Sequence, residues 1–182
     1  MKDFVFITGN QHKADALAKW LGCPVNHHKL DLDEIQSLSI RTVTEYKARQ
    51  AYEIVNRPVL VEDVALTLTA AGRLPGTYVK WFLQEIGTEG ICKFADTLDH
   101  RGAIASVCYG FYDGKQMHFF ENHVDGTAAP EPRGARGFGW DSVFIPKGSK
   151  KTYAELEDHE LRQFSVRAHA VEKLREYLEQ NT

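Results

Sequence analysis

The chain has 182 residues and a formal net charge of −3, which suits one sizeable core and is short for two independent domains. Its 43% hydrophobic and 26% charged residues match an ordinary soluble globular protein, and the charge balance argues against a nucleic-acid polymer or a membrane surface as partner. The apolar run Phe4–Ile7 is too short for a signal-peptide core or a membrane span, and three scattered cysteines, Cys23, Cys92 and Cys108, fit neither a zinc spacing nor a disulfide framework, so a cytoplasmic, reducing compartment is expected.

Phe4 to Ile7 reads as a buried strand, Thr8-Gly9-Asn10 as a tight turn, and Asn10 as the N-cap of a helix carrying Ala14, Leu17, Ala18 and Leu21 on one face. Gly22 ends that helix. Residues 25–32 read as extended. Ser39 predicts a capped helix through Val55 with Ile40, Val43, Ala51 and Ile54 inward, broken by Arg57-Pro58. Val59-Leu60-Val61 predicts a buried strand ending in the acidic pair Glu62-Asp63. Thr77 then starts a helix with Val79, Phe82, Leu83 and Ile86 on one stripe. Gly87 stops it, and Thr88 caps another with Ile91, Phe94, Ala95 and Leu98 inward. Residues 103–112 alternate, with Ala105, Val107, Tyr109 and Phe111 on one face. Asp113-Gly114 signals a type I′ turn, and residues 115–124 return as the second strand of a hairpin. Residues 126–141 form a Gly/Pro/Arg-rich loop, residues 142–145 a short strand, and Ser165 caps a last helix with Val171, Leu174 and Leu178 inward. The sum is a mixed α/β domain over 1–182 without the strict βαβ rhythm of a Rossmann fold.

Four segments can carry chemistry. Thr8-Gly9-Asn10-Gln11-His12-Lys13 is a strand end feeding a helix N-terminus, where unpaired amides and the helix dipole favour an anion. Lys13, a cation in a first turn, is better explained by an anion beside it. The pattern is not a P-loop, and a plain strand–turn–helix has the same look. Glu62-Asp63 places two carboxylates, facing opposite ways as adjacent strand residues do, at the end of a buried strand, a repulsion that Mg²⁺ relieves; a solvated strand end is the alternative. Glu34, in the acidic run Asp31-Leu32-Asp33-Glu34, is a further candidate ligand. In Arg133–Asp141, glycines permit close backbone approach, Phe138 and Trp140 offer faces for a stacked base, and Asp141 offers an acceptor to a base edge. The same aromatics can equally sit in the core. Leu74-Pro75-Gly76-Thr77-Tyr78-Val79-Lys80 is a turn into a helix with a second first-turn lysine, read either as a phosphate contact or as a solvated side chain.

Together, TGNxxK (Thr8–Lys13), VLVED (Val59–Asp63), LPGxYxKWF (Leu74–Phe82), FGWD (Phe138–Asp141) and SxR (Ser165–Arg167) resemble the inosine triphosphate pyrophosphatase family, the non-canonical purine NTP pyrophosphatases. The resemblance runs from about Phe4 to Leu178. It implies an elongated mixed sheet with flanking helices in two lobes around a nucleotide cleft, a homodimer, and Mg²⁺-dependent hydrolysis of an NTP to NMP and pyrophosphate. It implies that Thr8, Gly9, Asn10, Lys13 and Lys80 hold phosphates. Glu34 and Asp63 would hold metal, with Glu62 a further ligand candidate, and Asp63 would act as general base, with Lys13 beside it in catalysis. Phe138, Gly139, Trp140, Asp141 and Arg167 would hold the base. Three positions depart from the family pattern: Val166 replaces a histidine, Leu161 replaces a lysine with Arg162 beside it, and Val64 replaces a serine. Alternatives are a pyrophosphatase of the same fold with different or broader base specificity, and a nucleotide-binding protein without turnover.

Overall fold

The structure, a computed structural model, describes residues 3–181. Strand β1 (Val5–Ile7) leads into helix α1 (Gln11–Leu21) through the turn expected from the sequence. The Asn10 side chain accepts from the His12 N–H, and Gly22 closes the helix in the left-handed region at φ 76°. Of residues 25–32, only His27–His28 forms a strand, β2. Ser39 caps α2 (Ile40–Val55) by accepting from the Thr42 N–H. Ile54, expected inward, is 52% exposed, because Tyr52 and Val55 are the last-turn residues that pack on the cluster of Val5, Ile7, Ala48, Ala51, Val59 and Val61.

Strand β3 (Val59–Leu68) does not stop at the acidic pair; Glu62 and Asp63 lie in its middle. It pairs with the short β4 (Pro75–Gly76). Helix α3 (Val79–Asp96) is broken at Gly87 (φ 66°, ψ −174°), as the sequence suggests, but no side chain caps its start. Ile86 is 44% exposed, lying over Gly90, where a Cβ would meet it at 2.4 Å. Strands β5 (Gly102–Tyr112) and β6 (Met117–Ala128) make the hairpin. Their connection is four residues long rather than a two-residue turn: the Asp113 carboxylate accepts from the Lys115 and Gln116 N–H groups, and Gly114 sits at φ 91°. Residues 105–111 are buried on both faces, not on one. β6 claims Gly126–Ala128 from the expected loop, and β7 (Phe144–Pro146) begins two residues late. Helix α4 (Asp158–Phe164), unread in the sequence, opens on a Glu157/Glu160 capping box. Helix α5 (Val166–Gln180) buries Val171, Leu174 and Leu178 fully, as expected.

Among the described residues one seven-stranded sheet runs β2-β1-β3-β5-β6-β7, with β4 on β3. β1 is parallel to β2 and β3, while β4 on β3 and β7 on β6 are antiparallel, so the sheet is mixed and flanked by helices. Two compact units divide the chain: residues 1–63, 107–122 and 167–182, and residues 64–106 and 123–166. No helix among the described residues is long and apolar enough to cross a membrane.

Candidate active site

In the first unit, β1 and β3 pair in the register Val5↔Val59, Phe6↔Leu60, Ile7↔Val61. The chain therefore leaves β1 at Thr8, level with Glu62, and the parallel pairing brings the Thr8–Lys13 turn to the acidic pair. The turn is held from within: the Asn10 N–H donates to Thr8 Oγ1 at 3.1 Å and the His12 N–H to Asn10 Oδ1 at 3.0 Å. The N–H groups of Gly9 and Gln11 have no acceptor among the described residues, as expected of a helix start.

Adjacent strand residues face opposite ways, and the acidic pair divides accordingly. The Glu62 side chain is 0% exposed. Its Oε1 lies 3.4 Å from Arg167 Nε and 3.5 Å from Lys13 Nζ, and Lys13 Nζ is also 3.3 Å from the Glu62 carbonyl oxygen. An anion does explain Lys13, and within the chain that anion is Glu62. Burial alone would push the Glu62 carboxyl up, but Arg167 and then Lys13 outweigh it and hold it below the usual carboxylate range. Burial, then the Glu62 charge, raises the Tyr109 hydroxyl well above its ordinary value. That hydroxyl lies beside the carboxylate, yet neither it nor Glu62 Oε2 reaches full hydrogen-bond geometry.

Asp63 turns the other way. Its Oδ1 accepts from Lys47 Nζ at 2.9 Å, with side chains 13% and 17% exposed. Its Oδ2 accepts nothing among the described residues. Glu34 is exposed on the irregular segment before α2, which is anchored by mutual hydrogen bonds between Asp33 and Gln50 at 2.8 and 2.9 Å. No three His, Cys, Asp or Glu side chains converge among the described residues. One open carboxylate oxygen with few neighbours suits a hard cation that keeps its waters and takes ligands from a phosphate substrate, as Mg²⁺ does. Glu62 does not suit it, since burial and two cations occupy its carboxylate.

In the second unit, the aromatic loop is half core. Trp140 is 3% exposed and packs edge-on to Phe144 and beside Tyr153, with ring centroids at 5.9 and 6.1 Å. Asp141 is also buried; its Oδ2 accepts from the Phe138 N–H at 2.9 Å, clamping the loop. A Cβ on Gly137 (φ 73°) would fall 2.3 Å from that oxygen, so only glycine fits. Within residues 138–141, Phe138 is half-buried and Gly139 exposed, which leaves these two of the four open to a ligand. Lys80 is exposed, with Nζ 5.1 Å from the centre of the Trp81 ring. Leu161 is half-buried, Arg162 exposed, and Val166 fully buried.

A family model, that of the Ham1 family, matches residues 4–177. This chain belongs to the Ham1 family. The inosine triphosphate pyrophosphatase of Schizosaccharomyces pombe is 43% identical to it, covering 98% of this chain and 96% of that protein. Inosine triphosphate pyrophosphatase 2 of Trypanosoma cruzi is also 43% identical, covering 93% and 88%. Among solved structures, a HAM1 protein from Coxiella burnetii matches with a TM-score of 0.85 at 23% identity, covering 99% of this chain and all of that one. These bear out the family resemblance and the mixed α/β fold.

Two residues of this Ham1-family site carry no signal in the sequence. Lys47 lies on α2, sixteen positions before its partner Asp63, and nothing local marks it among the helix's polar residues. Tyr109 reads as one more inward residue of an alternating strand. Arg167 is displaced in the opposite sense: the sequence suggests a ligand contact, and the structure places it 9% exposed against Glu62.

Proposed function

We propose that this chain is a nucleoside-triphosphate pyrophosphatase, a hydrolase acting on acid anhydrides that cuts non-canonical purine NTPs such as ITP, dITP and XTP to NMP and pyrophosphate in the cytosol. The observation that carries the reading is Asp63, a partly exposed carboxylate in mid-strand whose Oδ1 is fixed by Lys47 and whose Oδ2 is open. That arrangement suits a general base: Lys47 sets the orientation, and Oδ2 takes a proton from water attacking the α-phosphorus while the bond to the pyrophosphate oxygen breaks. Asp63 and Glu34 are the residues that would hold Mg²⁺. When bound, the ion neutralises phosphate charge and acidifies a coordinated water. The Thr8–Lys13 turn, with its open Gly9 and Gln11 amides, is assigned to phosphate, as is Lys80. Phe138 and Gly139 are assigned to the base, with Trp140 and Asp141 building their loop and Arg167 contributing its guanidinium edge. We treat residues 1–182 as one catalytic domain working as a homodimer.

A second reading, a broader base range, is favoured by two positions. Val166 is wholly buried and Leu161 is apolar, so neither offers a donor to a 6-oxo base, and discrimination rests on such donors. Pyrophosphate release from a panel of NTPs and dNTPs with Mg²⁺ tests both readings; silence on every nucleotide would leave a binding protein without turnover.

A further inference from the structure

We infer that Glu62 is a positioning residue, one buried carboxylate that fixes both Lys13 and Arg167, rather than a metal ligand. The inference rests on the proposed function for the meaning of the two cations. Its own ground is geometric. Glu62 Oε1 is shared between Lys13 Nζ at 3.5 Å and Arg167 Nε at 3.4 Å, and the Glu62 carbonyl oxygen takes Lys13 Nζ a second time at 3.3 Å. The carboxylate is 0% exposed, Lys13 16% and Arg167 9%. Two cations meet one anion, so the cluster carries an excess of one positive charge, and its exposed fraction lies at the cations. A buried carboxylate is retained at a cost in desolvation, and a core tie between β3, α1 and α5 needs no charge. A charge that sets two long, flexible cations at fixed points has a use that a leucine would not supply. The unpartnered Oε2 beside Tyr109 belongs to the same design: the carboxylate is held by its two cations rather than by a full set of donors.

Positioning and simple electrostatics differ in sign. Removing a negative charge beside an anion site should tighten anion binding; removing the residue that orders the cations should loosen it. The test is Glu62→Gln and Glu62→Asp in the full chain, read by calorimetric binding of inorganic tripolyphosphate and of IMP in EDTA, so that no metal enters. We expect both variants to weaken tripolyphosphate and IMP binding by about tenfold or more, since the shorter Glu62→Asp keeps the charge and loses the reach. Lys13→Met combined with Glu62→Gln should bind tripolyphosphate no more weakly than Lys13→Met alone. In turnover of the best NTP, the variants should raise KM more than they lower kcat, with the Mg²⁺ concentration for half-maximal rate unchanged. Tighter tripolyphosphate binding in Glu62→Gln, additive losses in the double variant, a lowered melting temperature with unchanged binding, or a raised Mg²⁺ requirement would each overturn the proposal. Absence of pyrophosphate release by the unmodified protein would instead sink the proposed function, and the binding measurements would still decide the role of Glu62.

Discussion

Asp63→Asn separates charge from shape at the proposed base. The amide keeps an oxygen for Lys47, so the contact at 2.9 Å persists and only the negative charge and the proton acceptor go. The ion pair's gross attraction at that distance is about 6 kcal/mol at an effective dielectric of 20. With the side chains 13% and 17% exposed, desolvation offsets most of it, and the expected net loss is about 1–2 kcal/mol. For a chain of this size that lowers the melting temperature by about 2–8 °C. The rate effect should be larger: loss of a general base costs at least about a hundredfold in kcat, or about 2.7 kcal/mol of barrier. Pyrophosphate release at saturating ITP, repeated at tenfold higher Mg²⁺, reads the effect. Recovery at high Mg²⁺ would assign the loss to metal affinity. A kcat within about tenfold of the unmodified enzyme would refute the base role outright.

Lys13→Ala and Lys80→Ala should both weaken triphosphate binding more than monophosphate binding. Only Lys13→Ala should also lower stability, by about 1–3 kcal/mol, because it strips a partner from buried Glu62; exposed Lys80 should change stability by less than about 0.5 kcal/mol. Calorimetric equality of NTP and NMP losses would make the lysines structural. Of the three thiols, only half-buried Cys23 should react with a thiol reagent in the native protein at neutral pH, and all three after denaturation. Burial pushes Cys108 up to about 12. The unfolded thiol ionises near 9.0 while the folded one keeps its proton, so stability should fall as pH rises from 9 toward 12; chemical denaturation across that range, compared with Cys108→Ala, checks the sign. ITP should be preferred over ATP and GTP by less than about a hundredfold in kcat/KM; a larger ratio would show that the pocket finds its donors away from Val166 and Leu161. Val166→His should cost about 1–3 kcal/mol by burying an imidazole in an apolar site, measured by thermal unfolding.

The sequence made the local grammar legible. Asn10, Gly22 and Ser39 announced helix ends, and each does the physical job expected of it, because capping is decided within a few residues. Strand ends were less legible: β3 runs five residues past the acidic pair, and its neighbour β5 lies far along the chain. The site divided on the same line. Which residues are charged or aromatic could be read directly, but which way each points depends on pairing across the sheet. Alternation along the strand puts Glu62 and Asp63 on opposite faces, but that Glu62 meets Lys13 and Arg167 while Asp63 meets Lys47 is decided only by packing. Trp140 and Asp141 looked like ligand contacts, and they build the loop that presents Phe138 and Gly139. Lys47, meeting its partner only through the packing of α2 on β3, left no trace in the sequence.

The first unit is assembled from three stretches of chain, the last beginning at Arg167. A ribosome making this protein from its N-terminus therefore releases β1, α1, α2 and the start of β3 long before α5 exists. Until then Glu62 has Lys13 but not Arg167 as a counter-charge, and the β5–β6 hairpin lacks the helix that carries Leu174 and Leu178. Such long-range closure slows folding. The nascent chain must stay soluble with that surface uncovered while α5 is still to be made, and a chain cut after Arg167 would lack Val171, Leu174 and Leu178, all fully buried in the finished core.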